Sequence, residues 1–206
     1  MKAWLKTALL ATWILSVILS VSAQEVGGDH SFAVRLNNAA LKLTQDRVVY
    51  DPGYYSMDYP NGDVPRDRGV CSDVVIRAYR ALGIDLQKEV HEDMLAHFDL
   101  YPKIWGLSRT DSNIDHRRVP NLMTFFERNG EVKEISKKAG DYLPGDIVCW
   151  NLGGAITHIG IVVDRRSERW DGYKVVHNIG SGQLVEDCLF DFRIIAHYIY
   201  TGNSPQ

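Results

Sequence analysis

The stretch RGVCSDVVIRAYRALG, residues 68–83, places a cysteine at the start of a predicted helix. Apolar residues recur at helical spacing from Val70 to Leu82, and Gly83 supplies a stop signal. A thiol at a helix N-terminus lies beside unpaired backbone N–H groups and the positive end of the helix dipole. We therefore expect Cys71 to have a lowered pKa. The alternatives at this point are a disulfide partner, a metal ligand or a small core residue.

The composition of the 206-residue chain, with 45% hydrophobic residues and a formal net charge of -3, is typical of one globular domain. Its pI is near 6.1, so the charge gives no support for nucleic-acid binding, which usually requires a strongly basic surface.

Residues 1–23 have the pattern of a secretory signal peptide. Lys2 and Lys6 precede a short apolar run, which ends at Ser20 and is followed by Val-Ser-Ala. We expect cleavage after Ala23, which would leave a single domain, 24–206, in the periplasm without stable membrane insertion. The alternative is an uncleaved anchor, since about 20 apolar residues can span a bilayer.

Helical patterns dominate the first half of the expected mature chain and strand patterns the second half, which predicts an α+β domain with helices packed on an antiparallel sheet. A long loop is expected over residues 100–118, and loops of this length are often functional. The predicted helices span residues 31–45, 70–82, 88–98 and 120–129, and the predicted strands span 146–151, 157–164, 173–178, 183–187 and 195–200.

Two of the predicted strands carry histidines. Alternation places His158 on the face opposite to Ile159, and His177 lies on the next strand. If the intervening link forms a hairpin with its midpoint between Ser167 and Glu168, the two histidines face each other directly. Cys71, His158 and His177 would then fit the roles of nucleophile, base and orienting group.

Other interpretations of these residues remain open. The same three side chains could ligate zinc, although no short paired spacing of ligands is present. Cys71, Cys149 and Cys188 form an odd count in an oxidising compartment, so a disulfide between Cys149 and Cys188 is possible and at least one thiol stays free or pairs with another chain.

The sequence resembles the NlpC-type papain-like cysteine peptidases in four motifs, and more closely it resembles a bacterial exported family, formally a domain of unknown function, placed within that superfamily. The resemblance extends from about residue 37 to residue 200. Asp73 stands where glycine is usual, and we expect it to cap the first turn or to pair with an arginine. The motifs are Cys71-Ser72-Asp73, Pro144-Gly145-Asp146-Ile147-Val148, His158-Ile159-Gly160-Ile161 and Val176-His177-Asn178.

This resemblance implies a papain-like α+β fold and a cysteine hydrolase that needs no cofactor or metal. It implies Cys71 as nucleophile, His158 as base and His177 as orienting residue. The implied substrate is peptidoglycan or a peptide, cleaved at an amide bond in or next to the stem peptide. The rival interpretations are an acyltransferase or thioesterase with the same triad, and a wall-binding module whose triad is silent.

Several side chains are candidates for substrate binding. A guanidinium group matches the geometry of a carboxylate, and a tyrosine that precedes the cysteine could line the cleft. For each of them, a solvated or packed surface residue is the equally plausible alternative. The candidates are Arg66, Arg68, Tyr59, Arg117 and Arg118.

Overall fold

The computed structural model describes residues 23–202, with side chains described from residue 32. The expected signal sequence lies outside the described residues except for Ala23, the first residue of α1. The elements are α1 (Ala23–Leu43), β1 (Val49–Tyr50), β2 (Arg68–Gly69), α2 (Cys71–Arg80), α3 (Leu86–Ala96), α4 (Val119–Asn129), β3 (Glu131–Val132), β4 (Ile147–Asn151), β5 (Thr157–Arg166), β6 (Tyr173–His177), β7 (Leu184–Glu186) and β8 (Arg193–Ile199).

The main sheet of the described chain has six strands in the order β3-β8-β4-β5-β6-β7, and every neighbouring pair is antiparallel. A separate parallel pair, β1 and β2, leads directly into the helix that begins at Cys71. Within residues 23–202, four helices and an antiparallel sheet confirm the predicted α+β class.

Alternation along the strands divides the core into two layers. On one face, Ile159, Ile161 and Val176 pack against the helices, in the same cluster as Cys71. On the other face, Val162 and Val175 pack under the chain segments around residues 139–142 and 188–192. The part of β5 from His158 to Val163 is therefore buried on both sides, which fits the apolar run Ile161-Val162-Val163.

The segment over residues 100–118 is mostly irregular, as predicted, but it includes a 3-10 turn at Asp115–Arg117. This turn joins the segment to the start of α2, because the Ser72 hydroxyl donates a hydrogen bond to the Arg117 carbonyl over 2.8 Å. No helix within residues 23–202 combines the length and the apolar character required to cross a bilayer.

Candidate functional site

Cys71 is the first residue of α2, and its side chain is buried. Burial, with a smaller contribution from the nearby Asp73 carboxylate, raises the pKa of its thiol to about 11. The backbone amides of Ile159, Ser72 and Cys71 act in the opposite direction. The expected lowering of the pKa was therefore wrong, because loss of hydration outweighs the favourable N–H groups of the helix start.

Asp73 has both of the contacts expected of it. Its carboxylate accepts the N–H of Val70 over 2.7 Å, which caps the first turn of α2. It also accepts hydrogen bonds from the Arg117 guanidinium over 2.9 Å and 3.0 Å, and both side chains are buried. A third Arg117 nitrogen donates to the Gly53 carbonyl over 2.8 Å. Arg117 thus fixes the start of α2, which argues against the expected role of this residue in receiving a substrate carboxylate.

His158 and His177 come together on the sheet face opposite to the helices. His158 Nε2 lies 2.7 Å from His177 Nδ1, and both rings are buried. Burial lowers the pKa of His158 to about 3, with a further contribution from His177. Burial also lowers the pKa of His177, and Glu186 opposes that shift. The His158 imidazole is therefore neutral at pH 7.

The register that brings these histidines together differs from the predicted one by two residues. Ile161 pairs with Val176, and continuing that pairing puts His177 opposite Gly160 rather than opposite His158. The shift preserves the face, so the imidazoles meet as diagonal neighbours. A Cβ on Gly160 would lie 2.7 Å from Val175 Cγ1 and 3.1 Å from His177 Cβ, so glycine permits this close packing.

Glu186 extends the pair into a chain of three side chains. Its Oε2 lies 2.6 Å from His177 Nε2, and Cys188 Sγ lies 3.5 Å from the same nitrogen. Glu186 sits on β7, and its side chain is partly exposed to solvent. The sequence pattern did not identify it, because only the pairing of β6 with β7 shows that this acidic residue reaches His177.

The Cys71 thiol and the His158 imidazole are linked only through the backbone of β5, where His158 and Ile159 are adjacent residues. Ile159, the residue after His158, contributes its amide at the thiol, whereas the His158 ring packs near Trp150 on the other face. Within the described residues, no hydrogen bond joins the thiol to this imidazole.

Tyr50 is a further neighbour of the site that the sequence did not reveal. Burial raises the pKa of its phenol, and the next largest contribution comes from Cys71. Tyr50 on β1 pairs with Gly69 on β2, and Gly69 lies two residues before Cys71 in the sequence.

A groove of about 820 Å³ lies elsewhere, between α1 and the strands, and its lining includes Phe32 and Pro144 but not the Cys71 thiol.

The other substrate-binding candidates are dispersed. Arg66 is exposed and lies 3.1 Å from Asp46, whereas Arg68 lies 2.6 Å from Asp51. Tyr59 packs edge-on against the His91 ring. The Arg118 guanidinium lies 4.2 Å from the centroid of an indole ring, that of Trp105.

The three cysteines are all free thiols. Cys149 packs on the helical face and Cys188 on the opposite face, so the structure excludes the possible Cys149–Cys188 disulfide. Among residues 23–202, no group of three or more histidine, cysteine, aspartate or glutamate side chains is arranged to hold a metal ion.

Comparison of the sequence with known proteins identifies the family to which the chain belongs. A relative from Escherichia coli (strain K12), described as "Uncharacterized protein YijF", is 55% identical over 154 residues, which are 74% of each chain. The family model described as "Domain of unknown function (DUF1287)" matches residues 37–200, so it covers α2 and every strand that carries a site residue. The chain therefore belongs to the DUF1287 family.

Proposed function

We propose that this protein is an exported cysteine hydrolase that cleaves an amide bond, with Cys71 as nucleophile, His158 as general base and His177 as orienting residue. The observation that carries the proposal is the hydrogen-bonded chain from Glu186 through His177 to His158. This chain ends at His158, and the next residue, Ile159, contributes its backbone amide at the Cys71 thiol.

The direction of the hydrogen bonds follows from the carboxylate. Glu186 can only accept, so His177 donates from Nε2 and its Nδ1 carries the lone pair. His177 Nδ1 then accepts from His158 Nε2 over 2.7 Å. This leaves the lone pair of His158 on Nδ1, the nitrogen that a general base needs to offer to the nucleophile.

The proposed first step requires the Cys71 thiol and His158 Nδ1 to come together when substrate binds, since catalytic hydrogen bonds often tighten only in that complex. Sγ of Cys71 then attacks the amide carbon while its proton passes to His158 Nδ1. The carbonyl electron pair moves to the oxygen, beside the backbone amides of Cys71 and Ser72 at the first turn of α2. The tetrahedral intermediate collapses as the C–N bond breaks and His158 returns the proton to the leaving amine. Water, deprotonated by His158, then hydrolyses the acyl thioester and regenerates the thiol.

The substrate assignment rests on the sequence. The export signal expected at residues 1–23 and the resemblance to NlpC-type peptidases both favour peptidoglycan, with cleavage in or next to the stem peptide. The papain-like fold, the periplasmic location and the absence of a cofactor requirement belong to the same proposal.

The test is incubation of the purified protein with peptidoglycan sacculi and soluble muropeptides, with products identified by mass spectrometry. Cys71→Ala and His158→Ala should abolish cleavage. Cys149→Ala, which removes another buried thiol from the same helical-face core, is the matched control and should retain it. Absence of cleavage by the folded wild-type protein, or cleavage that persists in Cys71→Ala, would refute the proposed wall hydrolase.

A second candidate, a wall-binding module with a silent triad, is favoured by the raised thiol pKa and by the missing thiol–imidazole bond. It predicts that the protein co-sediments with sacculi and that Cys71→Ala changes neither binding nor the muropeptide profile. An acyltransferase or thioesterase would instead accumulate an acyl-enzyme on Cys71 with thioester substrates, visible as a mass increase that Cys71→Ala lacks.

A further inference from the structure

Asn178 directly follows His177, the last residue of β6, and only 1% of its surface is exposed. Its Nδ2 donates a hydrogen bond to the Gly69 carbonyl over 3.1 Å, and its Oδ1 accepts the N–H of Gly180 over 3.1 Å. A buried amide that uses both its donor and its acceptor is held in one orientation. The Asn178 side chain therefore joins the end of β6 to the segment that leads into α2.

Gly69, the carbonyl partner, lies two residues before Cys71 and close against the first turn of α2. A Cβ at this position would lie 3.1 Å from Asp73 Cβ and 3.3 Å from Arg77 Nη1, so only glycine fits this close approach without a shift of its neighbours. The same carbonyl also accepts the N–H of Asp51 over 3.2 Å. The position of Gly69 is thus coupled to the position at which α2 begins.

These contacts complete a closed network that contains both halves of the proposed triad. From Cys71 the backbone leads to Gly69, and the hydrogen bond leads from Gly69 to Asn178. The next peptide bond leads to His177, whose Nδ1 lies 2.7 Å from His158 Nε2. The residue after His158 on β5 contributes its backbone amide at the Cys71 thiol. The network crosses between the α2 segment and the strands at two places, and Asn178 forms one of them.

We propose that Asn178 is a positioning residue, which sets the separation between the Cys71 thiol and the His158–His177 pair. This role rests on the proposed function, in which the thiol and the imidazole must come together. Asn178 bonds neither the thiol nor an imidazole, so it acts through Gly69 on one side and through the β6 backbone on the other. A misplacement of about 1 Å can cost about 100-fold in rate, so a hydrogen bond between the two segments has a large effect.

Gln87 is a matched amide elsewhere in the chain, and it is also fully buried. Its Nε2 donates to the carbonyls of Asp58 over 2.9 Å and Ser112 over 3.1 Å, and its Oε1 accepts the N–H of Gly62 over 2.8 Å. These partners join α3 to two loops and do not belong to the closed network. Asn178→Asp and Gln87→Glu therefore make the same chemical change, the loss of a buried amide donor, at two different places.

The test compares the purified variants by muropeptide cleavage and by alkylation of Cys71 with iodoacetamide, read by peptide mass spectrometry. Asn178→Asp should lower kcat at least about tenfold with KM within about twofold, since the side chain does not contact substrate. It should also speed alkylation at pH 8 at least about fivefold, because the thiol separates from the β5 amide and gains access to solvent. Gln87→Glu should leave kcat and the alkylation rate within about twofold of the parent values.

Asn178→Ala and Gln87→Ala introduce no buried charge, and they repeat the comparison if a carboxylate variant fails to fold. Equal changes in the paired variants, or parental kcat and alkylation rate in Asn178→Ala, would overturn the positioning role. A raised KM at unchanged kcat would overturn it as well, because it would assign Asn178 to substrate binding. Faster alkylation in Asn178→Ala, with no cleavage by the folded parent protein, would refute the hydrolase and still support the closed network.

Discussion

Replacing Arg117 with methionine should destabilise the protein strongly, because it leaves the Asp73 carboxylate buried without its counter-charge. The two side chains are 2% and 3% exposed, and two hydrogen bonds of 2.9 Å and 3.0 Å join them. Removing one partner of such a buried pair costs about 3–5 kcal/mol. The total stability of a domain is only about 5–15 kcal/mol, so this loss is a large fraction of it.

Urea unfolding followed by circular dichroism measures the change directly. For a domain of this size, the expected loss corresponds to a Tm lowered by roughly 6–20 °C. Arg66→Met is the matched control, since the Arg66–Asp46 pair has a similar 3.1 Å contact but an 87% exposed arginine. An exposed pair contributes about 0–1 kcal/mol, so the control should unfold almost like the parent.

A double-mutant cycle separates the ion pair from the other contacts of Arg117. Asp73→Asn combined with Arg117→Met should be less destabilising than the sum of the two single changes, because the double variant contains no unpaired buried charge. A loss below about 1 kcal/mol for Arg117→Met, or additive effects in the cycle, would refute the argument that this pair fixes the start of α2.

Three further outcomes follow from the site. Since the pKa of the Cys71 thiol is about 11, its alkylation by iodoacetamide should accelerate about tenfold per pH unit from pH 7 to pH 10, as peptide mass spectrometry can measure; a rate that levels off below pH 9 would contradict the raised pKa. Glu186→Ala should lower kcat of the proposed hydrolase at least about tenfold at unchanged KM. Glu186→Gln should rescue part of the activity, because it keeps a hydrogen-bond acceptor for His177. Equal activity of both variants and the parent would show that Glu186 does not orient His177. Burial lowers the pKa of His158 to about 3, so the unfolded state binds more protons than the folded state between pH 6.5 and 3. The free energy of unfolding should therefore fall on acidification across that window, by up to about 1.4 kcal/mol per pH unit. His158→Gln should reduce this slope, as urea titrations at a series of fixed pH values can measure.

The α+β class and the bounds of the longer elements, to within about two residues, could be predicted because they depend on local patterns. The start of α1 was wrong, since this helix begins at Ala23 rather than at residue 31, and the two-residue strands β2 and β3 were not predicted. The helix with Gly130 after its last residue and the alternation along β5 are visible in the sequence and confirmed. The hairpin register was wrong by two residues, since the turn is closed by Ser167 and Gly172 and lies nearer to β6 than the symmetric loop assumed. A further irregularity between Val163 and Arg166 changes the register within β5. The spacing of hydrophobic residues in the sequence indicates neither the position of the turn nor the register change.

The candidate site was only partly predictable for a related reason. Alternation identified the shared face of His158 and His177, which a two-residue error preserves. Glu186 required the order of strands in the sheet, and the role of Arg117 required the tertiary position of the 3-10 turn beside α2. The prediction of a lowered thiol pKa for Cys71 was wrong for a different reason. The helix dipole can be inferred from the local sequence, whereas burial depends on the whole fold.

The two pKa shifts together restrict how the proposed chemistry can proceed. With the pKa of Cys71 at about 11 and that of His158 at about 3, a thiolate–imidazolium pair is unfavourable in the resting protein. Proton transfer from the thiol must therefore accompany attack on the carbonyl, when negative charge develops on the substrate oxygen rather than on sulfur. A concerted transfer of this kind resembles serine-type base catalysis more than attack by a preformed thiolate. It requires a fixed lone pair on the base, and the Glu186–His177–His158 chain supplies the hydrogen-bond order that fixes it.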